Sequence, residues 1–191
     1  MTAKETVRRK VLKLRDCVDT EYRNSAALKV TEKFMSLWPD YKSYALYCAL
    51  NSELSIYPLM HMLWSAGKSV LLPKMEDNRI KLHYCYSTDE LQCGYMNIME
   101  PIGDSTTEEV DLIAIPGIAF DRNGYRLGYG KGCYDRLLEG MPRKIAVGLA
   151  FDVQIVDFVP RETHDVAMDA VLTEKELIAG NGILYTTKLQ G

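Results

Sequence analysis

Residues 113–135 read IAIPGIAFDRNGYRLGYGKGCYD, which joins an apolar strand, a glycine-rich loop and a charged helix start without interruption. Within this stretch Gly128, Gly130 and Gly132 recur at every second position. Because glycine has no Cβ, backbone N–H groups at such positions can converge on an anion at close range. The pattern predicts a phosphate site directly after a strand, in a segment that we call the glycine loop (residues 126–134).

Charged residues around the glycine loop favour a nucleotide phosphate over a generic anion. Arg126 offers two donors in a rigid fork, and Lys131 offers a compact positive charge. Asp135 carries the opposite sign and is best suited to Mg²⁺, which takes carboxylate and phosphate oxygens together. Gly132 stands where a Walker loop needs Ser or Thr, and Cys133 stands where a dinucleotide motif needs its third glycine. The alternative is a glycine-rich surface turn with incidental charges.

The composition indicates an ordinary soluble globular protein. The chain has 191 residues, 47% of them hydrophobic, and a net charge of −3. We therefore expect one domain over residues 1–191 and no nucleic-acid partner, since such a surface does not attract a polyanion. Five cysteines without a C-x-x-C pair indicate a reducing compartment, and no apolar stretch resembles a signal peptide or a membrane span. We expect a cytoplasmic protein that contacts no membrane.

Hydrophobic periodicity predicts strands that alternate with helices. Helices are expected over residues 3–18, 20–37, through 57–64 with an end at Gly67, over 134–138, and from 174 onward after an N-cap at Thr173. Strands are expected at residues 44–48, 70–72, 82–86, 112–115, 144–150 and 170–172. This alternation predicts an α/β fold, three-layer α/β/α with a mostly parallel central sheet, in which ligands bind beyond the carboxyl ends of the strands. The polar residues 87–109 are expected to form a surface loop.

Four sequence blocks, in order along nearly the whole chain, resemble the signature of the 5-formyltetrahydrofolate cyclo-ligase family. The first is Lys4-x-x-x-Arg8, and the second is an Ile-x-Glu-Pro turn at residues 98–101. The third runs from Pro116 through the glycine loop to Asp135, and the fourth comprises residues 160–165 and 168–173. The fold of this family resembles the sugar-phosphate isomerase and CoA-transferase group.

The resemblance implies ATP-dependent and Mg²⁺-dependent conversion of 5-formyltetrahydrofolate to 5,10-methenyltetrahydrofolate, with release of ADP and phosphate. An N-formyl oxygen is a poor leaving group, and enzymes of this family are understood to phosphorylate it before nitrogen 10 attacks the formyl carbon. The implied partners are the folate and ATP, and we expect a monomer or a weak homodimer.

The same resemblance implies roles for individual residues. ATP contacts are implied for Lys4, Arg8, Arg126, Leu127, Gly128, Tyr129, Gly130, Lys131, Gly132, Cys133 and Tyr134. Folate contacts are implied for Cys48, Glu53, Met96, Tyr129, Gly130, Lys131, Gly132 and Cys133. Arg126 and Lys131 would be catalytic, and Asp135 and Asp169 would hold Mg²⁺.

Spacing alone leaves simpler alternatives open. Lys4 and Arg8 could form a solvated basic helix face, Glu53 could be a helix-start carboxylate, and Cys48 could be a packing residue. Asp169 could be a strand-edge or capping carboxylate. At the level of the whole chain, the alternatives are a sugar-phosphate isomerase-like enzyme without ATP dependence and a non-catalytic sensor of a phosphorylated metabolite.

Two positions depart from the family pattern. Cys133 replaces a bulky aromatic residue at the folate-facing edge of the glycine loop. Asn97 replaces the glycine that opens the Ile-x-Glu-Pro turn, and since Asn tolerates positive φ, we expect the turn to be retained.

Overall fold

The computed structural model describes residues 2–162 and 165–180. The helices in this part of the chain are α1 (Ala3–Asp16), α2 (Thr20–Leu37), α3 (Tyr57–Ser65) and α4 (Cys133–Gly140). The first strands are β1 (Ser43–Ala45), β2 (Ser69–Glu76), β3 (Arg79–Tyr84), β4 (Leu91–Cys93), β5 (Met99–Pro101) and β6 (Ser105–Thr106). The remaining strands are β7 (Val110–Ile115), β8 (Ala119–Asp121), β9 (Arg126–Leu127), β10 (Arg143–Leu149), β11 (Ile155–Val156), β12 (Ala170–Leu172) and β13 (Leu177–Ala179).

An eight-stranded sheet organises the molecule, with the order β13-β12-β10-β7-β1-β2-β3-β6. The five strands from β12 to β2 pair in parallel, whereas β13, β3 and β6 add antiparallel edges. Strand β7 lies near the centre and is buried at every position, as expected for a parallel strand covered on both faces. The prediction of an α/β fold with a mostly parallel sheet is confirmed.

Helices cover both faces of this sheet because alternate side chains of β7 point to opposite sides. Leu112 and Ala114 pack in the cluster that contains residues of α2 and α3. Ile113 and Ile115 pack in the cluster that contains Leu138 and other residues of α4. The parallel register aligns the carboxyl ends of β1, β2 and β7 at one edge of the sheet. The loops that follow these strands therefore lie side by side.

Helix α1 lies against the segment that follows β7. It begins with a capping box, in which the Glu5 backbone N–H donates to Thr2 Oγ1 at 3.2 Å and the Thr2 N–H donates to Glu5 Oε2 at 2.7 Å. Val11, buried on its inner face, packs with Ala119 and Leu127 of the small sheet formed by β11, β8 and β9. This packing places the polar residues on the same face of α1 next to the glycine loop.

The prediction of a helix from residue 174 onward is wrong within the described residues. Residues 174–176 form a turn, after which β13 pairs antiparallel with β12. Thr173 Oγ1 accepts from the backbone N–H groups of Lys175 at 3.2 Å and Glu176 at 3.0 Å. A threonine hydroxyl can close a turn with the same hydrogen bonds that it would use as an N-cap, which is why the local pattern misleads.

Residues 87–109 also differ from the expected loop, because they include β4, β5 and β6. Strands β4 and β5 form a hairpin in which Cys93 pairs with Met99. At its tip Met96 and Asn97 adopt positive φ values of 58° and 59°, so the expectation that Asn97 maintains the turn is confirmed. In the described part of the chain, no helix combines the length and apolarity needed to cross a bilayer.

Candidate active site

A cavity of about 560 Å³ opens at the edge of the sheet where β1, β2 and β7 end. Its walls come from α1, from the residues after β1, from the second half of β2 and from the β4–β5 tip. The Pro116–Gly117 turn, the glycine loop and the start of α4 complete the walls. The volume is within the usual range for a small-molecule site.

All residues predicted to contact ATP or folate line this cavity. They are Lys4, Arg8, Cys48, Glu53, Met96, Arg126, Leu127, Gly128, Tyr129, Gly130, Lys131, Gly132, Cys133 and Tyr134. Asp135 lines it as well. The parallel strands bring these residues together from positions up to 131 apart in the sequence, as the rule for ligand sites in such sheets predicts.

Asp169 is the predicted site residue that the structure does not bring to the cavity wall. It precedes β12, and the register of β12 with β10 places it beside Ala146. Its Oδ2 accepts from the Ala146 backbone N–H at 2.7 Å. Within residues 2–162 and 165–180, no group of three or more His, Cys, Asp or Glu side chains forms a metal cluster. Asp135 can therefore supply one carboxylate ligand at the cavity, and its pairing with Asp169 around one ion stays a prediction.

The three alternating glycines make room for arginine side chains. A Cβ at Gly128 would lie 2.9 Å from Arg126 Nη1, one at Gly130 would lie 3.2 Å from Arg8 Nη2, and one at Gly132 would lie 3.1 Å from Arg136 Nη1. Gly130 and Gly132 also adopt positive φ values of 95° and 61°, which L-residues disfavour. The structure shows that these glycines admit guanidinium groups, and the phosphate contact expected from the sequence stays a prediction.

All three of these arginines are held by protein contacts, and Arg136 Nη1 donates to the Lys131 carbonyl at 3.0 Å. Arg8 Nε donates to the Gly128 carbonyl at 2.7 Å, which ties α1 to the glycine loop. The buried Arg126 side chain donates from Nη2 to Asp135 Oδ1 at 2.9 Å and lies 5.6 Å from the ring centre of Tyr134. Its Nε atom is buried and has no hydrogen-bond partner among the described residues. Arg126 and Asp135, predicted to meet phosphate and metal respectively, are thus ion-paired with each other.

Lys4 and Lys131 both line the cavity and also have protein partners. Lys4 Nζ lies 3.0 Å from Glu162 Oε1 and 3.1 Å from Asp165 Oδ2. Burial alone would lower the pKa of Lys4, but hydrogen bonds from these two carboxylates raise the pKa above its ordinary value. Lys131 Nζ donates to the Tyr95 hydroxyl at 3.0 Å, and this contact joins the glycine loop to the β4–β5 tip.

Glu53 provides the buried carboxylate expected on the folate side. Its side chain is 8% exposed, and Oε2 accepts from the Leu50 backbone N–H at 2.9 Å. Burial raises the pKa of Glu53, while the Leu50 N–H, the positive charge of Arg15 and the Tyr129 hydroxyl oppose this shift. Burial also raises the pKa of the Cys48 thiol to about 12, so this thiol stays protonated at neutral pH, and its contact with the folate stays a prediction.

Sequence reasoning missed two polar residues near the cavity. Glu100 lines the wall, is buried, and accepts from the Met75 backbone N–H at 3.2 Å. Arg15 is 1% exposed and donates to groups on three separate segments around the cavity. A signal for Arg15 was present, because Lys4, Arg8, Val11 and Arg15 follow helical spacing along one face of α1.

Comparisons with known proteins agree with this arrangement. The model of the 5-formyltetrahydrofolate cyclo-ligase family matches residues 1–174. The chain is 34% identical over 143 residues to the 5-formyltetrahydrofolate cyclo-ligase of Escherichia coli strain K12, with 70% of this chain and 78% of that protein covered. It is 31% identical over 181 residues to the enzyme of the same name from Haemophilus influenzae, with 88% and 96% covered.

Solved structures show the same relationship. The NMR structure of Aquifex aeolicus 5,10-methenyltetrahydrofolate synthetase superposes with a TM-score of 0.86 at 36% identity, covering 100% of this chain and 97% of that one. The structure of a 5,10-methenyltetrahydrofolate synthetase from Mycoplasma pneumoniae, at 23% identity, shares the fold with a TM-score of 0.74 and covers 91% of this chain and 99% of that one. On the family match and the sequence relatives, the chain belongs to the 5-formyltetrahydrofolate cyclo-ligase family.

Proposed function

We propose that this protein converts 5-formyltetrahydrofolate to 5,10-methenyltetrahydrofolate with consumption of ATP. The observation that carries the proposal is one cavity that joins a cationic glycine loop to a buried carboxylate. Arg8, Arg126 and Lys131 line this cavity and can bind a phosphate, and Glu53 lines the same cavity and offers an acceptor for the N–H groups of a pterin ring.

The proposed reaction proceeds in two steps. The formyl oxygen attacks the terminal phosphorus of ATP, the bond to the bridging oxygen breaks, and ADP leaves. Nitrogen 10 then attacks the formyl carbon and loses its proton. The phosphorylated oxygen departs from that carbon as inorganic phosphate. Arg126 and Lys131 stabilise the charge on the transferring phosphoryl group, and the cavity walls hold the two substrates in line. The main contribution of the protein is therefore positioning and charge stabilisation.

Asp135 suits a role in holding Mg²⁺ near the phosphates. Magnesium sites of this kind use one or two carboxylates together with substrate phosphate oxygens, so a full cage of protein ligands is not required. The position of Asp135 on the cavity wall, next to the glycine loop, fits this chemistry. When bound, Mg²⁺ would neutralise phosphate charge. Asp169 lies outside the cavity wall and its Oδ2 is bonded to the Ala146 N–H, so it could join the same ion only through a shift toward the cavity, with Oδ1 as the ligand.

Further properties follow as part of the proposal. Both hydrophobic clusters pack on one central sheet, which supports residues 1–191 as one domain. Helices on both faces support a three-layer α/β/α arrangement and its place in the sugar-phosphate isomerase and CoA-transferase group. We further propose that the protein acts in the cytoplasm as a monomer or a weak homodimer.

A direct assay tests the proposed function. Purified protein with 5-formyltetrahydrofolate, Mg²⁺ and ATP should generate the absorbance of methenyltetrahydrofolate, with one ADP released for each product molecule. Reactions without ATP or without the folate provide the controls. No product above the ATP-free control would refute the proposal. Binding of a phosphorylated sugar without ATP turnover would instead favour an isomerase-like enzyme or a metabolite sensor.

A further inference from the structure

Arg15 is the most deeply buried cation of the site, with 1% of its surface exposed. It is not part of the cavity wall, yet three of its nitrogens donate to three segments that build the wall. Nε donates to Ser52 Oγ at 3.0 Å, Nη1 donates to the Gly117 carbonyl at 3.4 Å, and Nη2 donates to the Tyr129 hydroxyl at 2.9 Å. The segment of Ser52 follows β1, the segment of Gly117 follows β7, and Tyr129 belongs to the glycine loop.

A buried cation normally has a carboxylate partner, because removing a charge from water is costly. Among the residues that the structure describes, Arg15 forms no direct ion pair. The carboxylate that it influences is Glu53, and the charge of Arg15 opposes the rise in the pKa of Glu53 that burial causes. The positive charge of Arg15 and the carboxylate of Glu53 therefore attract each other electrostatically.

The other titratable groups that interact with the charge of Glu53 are tyrosines, whose pKa values that charge raises. They are Tyr47 beyond β1, Tyr129 in the glycine loop and Tyr134 at the start of α4. Burial raises the pKa of each of these phenols, so all three stay neutral near neutral pH. Arg15 is thus the positive charge that acts on Glu53 within the described residues.

We propose that Arg15 is a positioning residue of this active site, which holds the Tyr129 hydroxyl and the Ser52–Glu53 segment at one spacing. This inference rests on the roles proposed above for Glu53 and the glycine loop. The guanidinium suits the task because its rigid fork reaches several acceptors at once, whereas a lysine ammonium on a flexible stem cannot span them. Correct spacing matters because a displacement of about 1 Å of a group in an active site can lower the reaction rate strongly.

Arg23 offers a matched control. It also supports the Ser52 segment, by donating from Nη1 to the Ser52 carbonyl at 2.8 Å, and it donates from Nη2 to the Arg15 carbonyl at 2.7 Å. Among the described residues, Arg23 makes no hydrogen bond to Tyr129 and no ion pair with Glu53. Arg23→Met therefore weakens the same backbone segment without removing the charge or the fork that the proposal requires.

The experiment measures the dissociation constant of 5-formyltetrahydrofolate by isothermal titration calorimetry, from mildly acidic to mildly alkaline pH, for wild type, Arg15→Met, Arg15→Lys and Arg23→Met. Folate binding needs ionised Glu53, so affinity falls as pH drops through the pKa of that group. Arg15→Met should weaken binding about 10- to 100-fold and move this loss of affinity to higher pH. Arg15→Lys should restore the wild-type pH profile but only part of the affinity, and Arg23→Met should move only the unfolding midpoint.

Each outcome decides a separate point. Wild-type protein that does not bind the folate would refute the proposed function itself. Wild-type binding together with an unchanged affinity and pH profile in Arg15→Met would refute the positioning role alone. If Arg15→Met does not fold, Arg15→Lys decides, since folate affinity equal to wild type in that variant would show that the fork is not needed.

Discussion

Substitution of Gly128 by alanine tests whether the glycine loop is shaped by its arginines. Gly128 does not adopt a positive φ, so alanine causes no backbone strain there. Its Cβ would, however, lie 2.9 Å from Arg126 Nη1, whereas ordinary contacts begin near 3.4 Å. The guanidinium must therefore retreat by at least about 0.5 Å. The Arg126–Asp135 bond of 2.9 Å would then stretch toward the limit of a hydrogen bond.

Two opposing terms set the expected effect on stability. A weakened charge-assisted hydrogen bond costs about 1–2 kcal/mol, and replacing glycine by alanine stabilises by about 0.4–1 kcal/mol through the unfolded chain. The free energy of unfolding of Gly128→Ala should thus fall by only about 1 kcal/mol. The rate should fall more, because a catalytic group that is misplaced by 0.5–1 Å loses on the order of 10- to 100-fold in kcat/KM.

The assay compares initial rates of methenyl product at varied ATP concentration with the free energy of unfolding in urea. Gly140→Ala is the control, because a Cβ at Gly140 meets no atom within 4 Å. That variant should turn over like wild type and be no less stable. If Gly128→Ala keeps kcat/KM for ATP within about twofold of wild type, the guanidinium does not depend on the space beside this glycine, and the geometric argument fails.

Two further predictions concern carboxylates. Asp135→Asn should reduce turnover by about 100-fold or more while the fold persists, because the amide oxygen can still accept a hydrogen bond but the negative charge is lost. Initial rates measure the turnover, and circular dichroism measures the fold. A wild-type rate would remove Asp135 from the mechanism. Asp111 is buried and lies 2.6 Å from Lys144 Nζ. Burial alone would raise the pKa of Asp111, but the ion pair with Lys144 and two backbone N–H donors lower it from 3.8 to about 2. The stability that this carboxylate contributes is present above pH 3.8 and is lost as pH falls through about 2. The free energy of unfolding of Asp111→Asn should therefore vary less with pH across that interval than the free energy of unfolding of the wild type. Identical pH profiles for the two proteins would contradict the stabilising role of the Asp111 carboxylate.

The sequence predicted those features of the fold that depend on local pattern. The apolar run in β7 indicates a strand covered on both faces, and the alternation of strands and helices leads to a mostly parallel sheet. The cavity location follows from the same topology, since loops after parallel strands meet at one edge. The glycine loop could thus be assigned to a ligand site from the sequence pattern, whereas Lys4 and Arg8 of the first helix could be assigned to it only through the resemblance to the family.

Features that depend on distant partners could not be predicted in this way. The Thr173 hydroxyl closes a turn because β13 pairs with β12, and the isolated segment reads equally well as a helix start. The close approach of the Arg8 guanidinium to Gly130 brings together residues that are 122 positions apart, so no local sequence pattern predicts this contact. The contact of Asp169 with Ala146 likewise follows from the register between β12 and β10.

The cations around the cavity share a property that bears on how a phosphate binds. Each has a protein acceptor: Arg126 has Asp135, Arg8 has the Gly128 carbonyl, and Lys131 has the Tyr95 hydroxyl. A phosphate that approaches must therefore compete with these acceptors, and its net gain is the difference between the two sets of contacts. In return, the donors are already oriented before the phosphate arrives, so little reorganisation is needed during phosphoryl transfer. On the proposed function, the Arg126–Asp135 pair would add a further step to this exchange, because phosphate bound to the arginine would free the carboxylate of Asp135 to hold a cation beside it.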